Sequence, residues 1–275
     1  MILTFKRKVN ITRIKKEQKF EEIDIVLIES AINLIVNSKS IVNIICLPND
    51  LKELAVGFLF SIGIINSYKD IKELSINELE GKIMIDLQHN KNFNPDEFEK
   101  NVFNRVIDTT CGIPSPWRNL IKSKIKDAKD SKISDMENIV NSKIIFSSIV
   151  KMQKNTILFR ETGGCHGAAI FDLDGNLLSI KEDIGRHNAI DKAIGELLIN
   201  GELLSNKILT TTGRLTGDSV LKAARASIPI IASLSAAVES GIRIAFAYGI
   251  TLIGFVRGSS MNIYSRADRI VASTL

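Results

Sequence analysis

The sequence predicts an α/β protein: a largely parallel sheet flanked by helices in residues 106–275, preceded by a small α+β unit in residues 1–105. Three observations predict it. From residue 207 to 256 strand-like and helix-like stretches alternate, which argues for a parallel sheet with helices on its faces. Ahead of that alternation, residues 168–171 and 176–180 form a hairpin pattern about Asp174-Gly175 and lead into an apolar helix at 189–199. The first third has another grammar, with clustered strands, one helix and a second hairpin.

Taken in order, residues 22–47 cluster as strands, IDIVLIES, INLIVN and IVNIICL, with Asn37-Ser38-Lys39 turning the chain between the last two. Pro48-Asn49-Asp50, with Glu53 placed for a capping box, opens an apolar helix over 51–64 that Gly63 and Asn66 close. Residues 74–88, broken at Glu80-Gly81, read as a hairpin, and the polar stretch 89–100 reads as a linker. A strand at 102–107 delivers the chain to Asp108-Thr109-Thr110-Cys111-Gly112-Ile113-Pro114-Ser115-Pro116-Trp117. Its prolines and glycine make that stretch a loop. Charged residues dominate 122–137, and a helix follows over 139–152, with a kink near Asn141 or Ser142. The alternating region then gives strands at 207–212, 229–234 and 251–256 and helices at 217–227 and 236–247.

At 275 residues, 45% hydrophobic and 24% charged, the chain has the balance of a folded soluble protein. No apolar run reaches the roughly 18 residues needed to cross a bilayer. The opening MILTFKRKVN is not a secretion signal, and the odd, widely spaced Cys46, Cys111 and Cys165 suit a reducing compartment, so a cytoplasmic protein is expected. A net charge of +5 and a pI near 9.0 lean towards anionic partners. Lys6, Arg7, Lys8, Arg13, Lys15, Lys16 and Lys19 read as a solvated edge, and at 6% aromatics the interleaving that nucleic-acid binding wants is missing. A small phosphorylated ligand is the more economical partner.

Chemistry concentrates in residues 160–192. Thr162-Gly163-Gly164 lets backbone approach a ligand, and Glu182-Asp183-Ile184-Gly185-Arg186-His187-Asn188 packs acids, an arginine and a histidine before a helix. The same residues also suit a capped helix start, with Asn188 or His187 as cap, Asp191 in the first turn and Asp183 paired with Arg186 at the surface. At the carboxyl ends of the alternating strands lie Thr212-Gly213-Arg214-Leu215-Thr216-Gly217 and Arg257-Gly258-Ser259-Ser260, where glycine, hydroxyl and guanidinium meet as phosphate sites require.

Ala55-Val56-Gly57-Phe58-Leu59-Phe60, Thr110-Cys111-Gly112, Thr162-Gly163-Gly164-Cys165-His166, the run 182–192, Thr212-Gly213-Arg214 and Gly254-Phe255-Val256-Arg257-Gly258 together resemble the formate dehydrogenase accessory protein family, FdhD. The resemblance runs in order from about 26 to 270. It implies a cytidine-deaminase-like C-terminal fold, a homodimer and a sulfurtransferase. That enzyme would take sulfur from a cysteine desulfurase to the molybdenum or tungsten bis-guanine-dinucleotide cofactor before the cofactor enters formate dehydrogenase. It also implies that the cofactor, with GDP as an analogue, is held at Phe255, Val256, Arg257, Gly258, Ser259 and Ser260. His187 and Arg214 are plausible second contacts.

Where that family usually carries Cys-Gly-x-Cys, this sequence reads Cys111-Gly112-Ile113-Pro114, so a vicinal thiol is missing. Cys111, in a Gly/Pro loop near Arg118, is the candidate nucleophile, since one thiol suffices to carry a persulfide. Cys46 reads as core and Cys165 as incidental. A cofactor- or guanine-nucleotide-binding chaperone without sulfur transfer is the alternative. No metal site is expected: Cys165 and His166 are adjacent, and neither C-x-x-C nor the H-x-E of the zinc deaminases occurs.

Overall fold

A computed structural model of the chain describes residues 5–88 and 139–272, together with 106–107, 122 and 133. Strands β1 (Lys6–Lys15) and β2 (Gln18–Leu27) pair antiparallel along their whole length, turning at Lys16 and Glu17. Of the basic residues expected to be a solvated edge, Lys6, Arg7, Lys8, Arg13 and Lys15 lie on β1, Lys16 in the turn and Lys19 on β2. The backbone ladder holds the ribbon, with the exposed contacts Arg13 on Glu22 at 2.8 Å and Thr12 donating to Glu21 across the strands.

A five-stranded sheet follows, in the order β5-β6-β3-β4-β7, made of β3 (Ser30–Val36), β4 (Lys39–Cys46), β5 (Ile71–Asn77), β6 (Lys82–Leu87) and β7 (Val106–Ile107). The strand expected over 102–107 is described only at its last two residues. Alternation on β3 turns Ile32, Leu34 and Val36 into the core. Helix α1 (Leu51–Ser61) is buried nearly all round because it lies between this sheet and the C-terminal layer. The capping box expected at its start does not form: the Asp50 side chain caps nothing and instead accepts from Asn49 and from Lys181 at 2.9 Å.

In the C-terminal part, β8 (Val140–Asn141) leads into α2 (Ser142–Asn155), and Asn141 is its N-cap, accepting from the Lys143 amide, rather than a kink. Helix α3 (Ile157–Thr162) was not expected. The second sheet has the order β10-β9-β11-β12-β13-β14. Its strands are β9 (His166–Asp172), β10 (Leu177–Asp183), β11 (Lys207–Thr211), β12 (Ile230–Ser233), β13 (Thr251–Arg257) and β14 (Ser260–Ser265). Only β11, β12 and β13 are mutually parallel, joined through α5 (Gly217–Arg225) and α6 (Glu239–Tyr248); the antiparallel β9 and β10 and the returning β14 flank them. Strand β15 (Ile270–Val271) pairs with β8. No described helix is long and apolar enough to cross a membrane.

Alternating side chains on this sheet feed two cores. Ala169, Phe171, Ile208, Ile230 and Val256 pack under α2, whereas Ala168, Ile170, Leu209 and Leu252 face α4 (Arg186–Ile199), α5 and, through them, α1. Two glycines let α1 and α4 cross in backbone contact. A Cβ at Gly57 would lie 1.8 Å from the Asp191 carbonyl oxygen, and one at Gly195 would lie 2.0 Å from that of Glu53. The crossing brings the first turns of α4 against the end of β4, which fixes the geometry of the site.

Candidate functional site

Helix α4 starts at Arg186 with Gly185 as N-cap, so neither His187 nor Asn188 caps it and both stand on its first turn, buried. Asp183 does not pair with Arg186 at the surface. Fully buried, its carboxylate accepts from the Leu47 amide at 3.0 Å, the Gly185 amide at 2.8 Å and Asn188 Nδ2 at 2.9 Å, and it ion-pairs with Lys192 at 2.7 Å. Amides left open at the end of β4 and the start of α4 draw it inward. Lys192 also donates to the Leu47 carbonyl and to Asn49, and Asn188 to the Ile45 carbonyl.

One turn on, Asp191 pairs with Lys222 of α5 at 2.6 Å and accepts from Ser61 of α1. Glu182 meanwhile accepts from the Leu158 and Phe159 amides and so caps α3. The run 182–192 is therefore first a latch that ties β4, α1, α3 and α5 to α4.

The described thiols are closed to chemistry. Cys46 is fully buried in β4, and burial with the Asp183 carboxylate nearby raises its pKa. Cys165 is 4% exposed with Sγ 3.7 Å from Glu182 Oε1; burial, then that carboxylate, pushes the thiol up to about 12. Since the thiolate is the nucleophile, neither cysteine is one near neutral pH. Cys111 lies outside the described residues.

Arg186 has a different setting. It lines a cavity of about 330 Å³ with Lys122, Arg243, Thr216, Gly217, Asp218, Ser240 and Ile244, beyond the carboxyl ends of β11 and β12. Gly213 permits this: a Cβ there would stand 2.9 Å from Arg186 Cβ. Burial and then the neighbouring Arg214 guanidinium lower the Arg186 pKa, with Asp218 opposing them. His166, whose Nδ1 lies 3.2 Å from Thr212 Oγ1, is held below the usual imidazole range by burial and by both arginines. Among the described residues neither guanidinium makes a hydrogen bond or ion pair, and Arg186 Nε is buried without a partner. Arg225 also has a buried Nε without a partner, but its terminal nitrogen is engaged. Bordering a larger, mostly apolar cavity of about 970 Å³, it donates to the Ile65 carbonyl and to Asn66 and stacks over Phe60.

The other expected loop is a tight hairpin. Phe255, Val256 and Arg257 end β13, Gly258 and Ser259 turn, and Ser260 opens β14. Phe255 is exposed beneath the Arg257 guanidinium, 5.4 Å from ring centroid to charge, and Arg257 Nε donates to the Leu234 carbonyl. Val256, 1% exposed, packs under α2 and offers a ligand only its backbone. Val256, Arg257 and Gly258 line a cleft of about 180 Å³ with Leu234 and residues of α2. None of Arg186, Arg214 and His187 borders that cleft.

The model of the FdhD/NarQ family matches residues 27–271 of the sequence. The chain belongs to that family. It is 37% identical to the sulfur carrier protein FdhD of Sulfolobus acidocaldarius over 96% of this chain and 98% of that one. To the sulfur carrier protein FdhD of Bacillus subtilis it is 34% identical over 90% of each. A crystal structure described as a formate dehydrogenase accessory protein, from Desulfotalea psychrophila, superposes with a TM-score of 0.76 at 27% identity, covering 98% of this chain and 100% of that one. In this FdhD/NarQ chain Arg214 lies exposed in the loop after β11 and lines none of these cavities, while Arg186, read from the sequence as a surface partner of Asp183, lines the cavity beyond β11 and β12.

Proposed function

We propose that this chain is a sulfur carrier with Cys111 as the carrying thiol. The carrying observation is that two of the chain's three cysteines, Cys46 and Cys165, have thiols kept protonated by burial and, after it, by nearby carboxylates, which leaves Cys111 to act. In loading, the Cys111 thiolate attacks the outer sulfur of a donor persulfide; a new S–S bond forms as the donor's breaks, and the donor leaves as its thiolate. A cysteine desulfurase fits as donor. The molybdenum or tungsten bis-guanine-dinucleotide cofactor fits as acceptor, ahead of its insertion into formate dehydrogenase, with the protein acting as a cytoplasmic homodimer.

Arg257, with its terminal nitrogens free of the Leu234 carbonyl, and the backbone and hydroxyls from Gly258 to Ser260 supply contacts for a phosphate of that substrate. With Pro114 where a second cysteine would stand, no disulfide can form within the loop. Releasing the outer sulfur as sulfide therefore requires two electrons from an external thiol, which leaves a mixed disulfide on Cys111.

Incubation with a desulfurase and cysteine, then intact-mass analysis, tests the loading. One added sulfur is expected on the wild type, on Cys46→Ala and on Cys165→Ala, and none on Cys111→Ala. An adduct that survives Cys111→Ala overturns the assignment. Pro114 also motivates a second reading, a cofactor-binding chaperone without transfer. Complementation of a formate dehydrogenase maturation defect by Cys111→Ala would favour it.

A further inference from the structure

We infer that the cavity of about 970 Å³ bordered by Arg225 is a binding site for an amphipathic monocarboxylate of the medium-chain fatty acid class, beyond the sulfur-carrier reading. It lies where α1, α4 and α5 end: Phe60 comes from the last turn of α1, Leu198 and Ile199 from that of α4, and Arg225 from that of α5. Ser205 and Ser227 lead the chain from its wall into β11 and β12, so the cavity sits at the amino ends of these parallel strands. The Arg186 cavity and the 255–260 hairpin belong to the opposite end of the sheet.

The walls are chiefly apolar, and Leu203 stands on the rim 75% exposed to water. Covering such surface is what draws an apolar body in. The volume is at the upper end for ligand pockets, about 300 to 1,000 Å³, and leaves room for a sizeable chain or ring. Among the lining residues Lys69 and Arg225 face one carboxylate, Glu202, which leaves a single positive charge for a single negative head. Arg225 Nη2 is taken by the Ile65 carbonyl and Asn66, and Nε is buried without a partner. Nη1, which makes no hydrogen bond among the described residues, remains to donate, and an anion beside the guanidinium offsets the cost of its partial burial. Asp70, whose charge Arg225 also feels, does not line the cavity and is held by the Asn66 and Ser67 amides. Nor do the helix ends invite a cation instead: the Leu197, Leu198, Ala223 and Ala224 carbonyls already accept from turn amides.

Calorimetric titration of decanoate, kept below its micelle concentration, into the full chain at fixed ionic strength tests the site. Saturable binding is expected, weakened at least tenfold in Arg225→Gln and in Ser205→Trp, whose indole fills the cavity. It should be unchanged in Phe246→Ser, which removes an exposed apolar group on α6. Decanol carries the same apolar body without the charge and should bind the wild type at least tenfold more weakly than decanoate. Ser205→Trp and the alcohol keep the test open should Arg225→Gln fold poorly. The site is overturned by an absence of saturable decanoate binding, by wild-type affinity in Ser205→Trp or in a folded Arg225→Gln, or by an equal loss in Phe246→Ser. Equal affinity for decanol overturns the carboxylate assignment. Sulfur loading is read independently on Cys111, so the failure of either reading leaves the other standing.

Discussion

Two charged systems grow from the first turns of α4, and they are built on opposite terms. On one face Asn188, Asp191 and Lys192, three and four residues apart, turn towards β4, α1 and α5; their charges are paired at 2.6 to 2.7 Å and closed to water. Arg186, roughly half a helical turn round, faces a cavity with Arg214 beside it and no hydrogen-bonded acceptor among the described residues. The difference separates two uses of charge within one short motif. Paired, buried ions hold the layers in register and cannot be reached. Arg186, at a cavity wall with no hydrogen-bonded acceptor among the described residues, takes no part in that holding.

The largest way to break this contrast is to unpair the latch. Asp191→Ala strands the Lys222 ammonium, 1% exposed, and the expected loss in urea unfolding free energy is about 3 to 5 kcal/mol. The double replacement Asp191→Leu with Lys222→Met removes both ions and should recover most of that loss. A single mutant within about 0.5 kcal/mol of the wild type would mean that the pair is not buried as described.

A smaller effect comes from His166, which senses the unanswered arginines. Burial, then Arg186 and Arg214, lower its folded-state pKa below the ordinary 6.5, against the pull of Asp183. The unfolded chain therefore takes up the proton first as pH falls. The stability tied to neutral His166 is complete above the unfolded value and is lost on the acid side, as pH drops towards the folded one. Urea midpoints measured at about pH 7.5 and 5.5 should fall less for His166→Asn than for the wild type. Arg214→Gln, by removing one of the two positive charges, should move the His166 titration to higher pH. An imidazole unmoved in Arg214→Gln would separate His166 from that arginine.

Much of this architecture was legible along the chain, and the parts that were not share a cause. Period and turn chemistry gave β9, β10 and the alternation from β11 to β13, because each depends on residues within a few positions. The β1–β2 ribbon escaped because it is held by backbone pairing between largely exposed, charged strands that carry little apolar period. Helix α3 escaped because six residues after a single break at Thr156 carry too little pattern, and its cap, Glu182, arrives from across the fold. Asp183 was misread for the same reason. Its true partners include the Leu47 amide, far away in sequence, while Arg186 stood near and of the right sign. The Thr-Gly-Arg loop was legible as the connection after a strand, and Arg214 does lie between β11 and α5. That Arg186 Nε is buried without a hydrogen-bond partner among the described residues is a fact of three-dimensional packing that no local pattern records.

The smallest expected effect is the sharpest test of the contrast. Arg214 is exposed, takes part in no hydrogen bond or ion pair of its side chain among the described residues, and stands near a like charge. Arg214→Gln therefore removes a repulsion and no attraction. The unfolding free energy should stay within about 0.5 kcal/mol of the wild type, shifted if at all towards greater stability at low salt, where screening is weakest. A destabilisation of Arg214→Gln comparable to that of Asp191→Ala would place Arg214 in the latch and erase the distinction between the two systems.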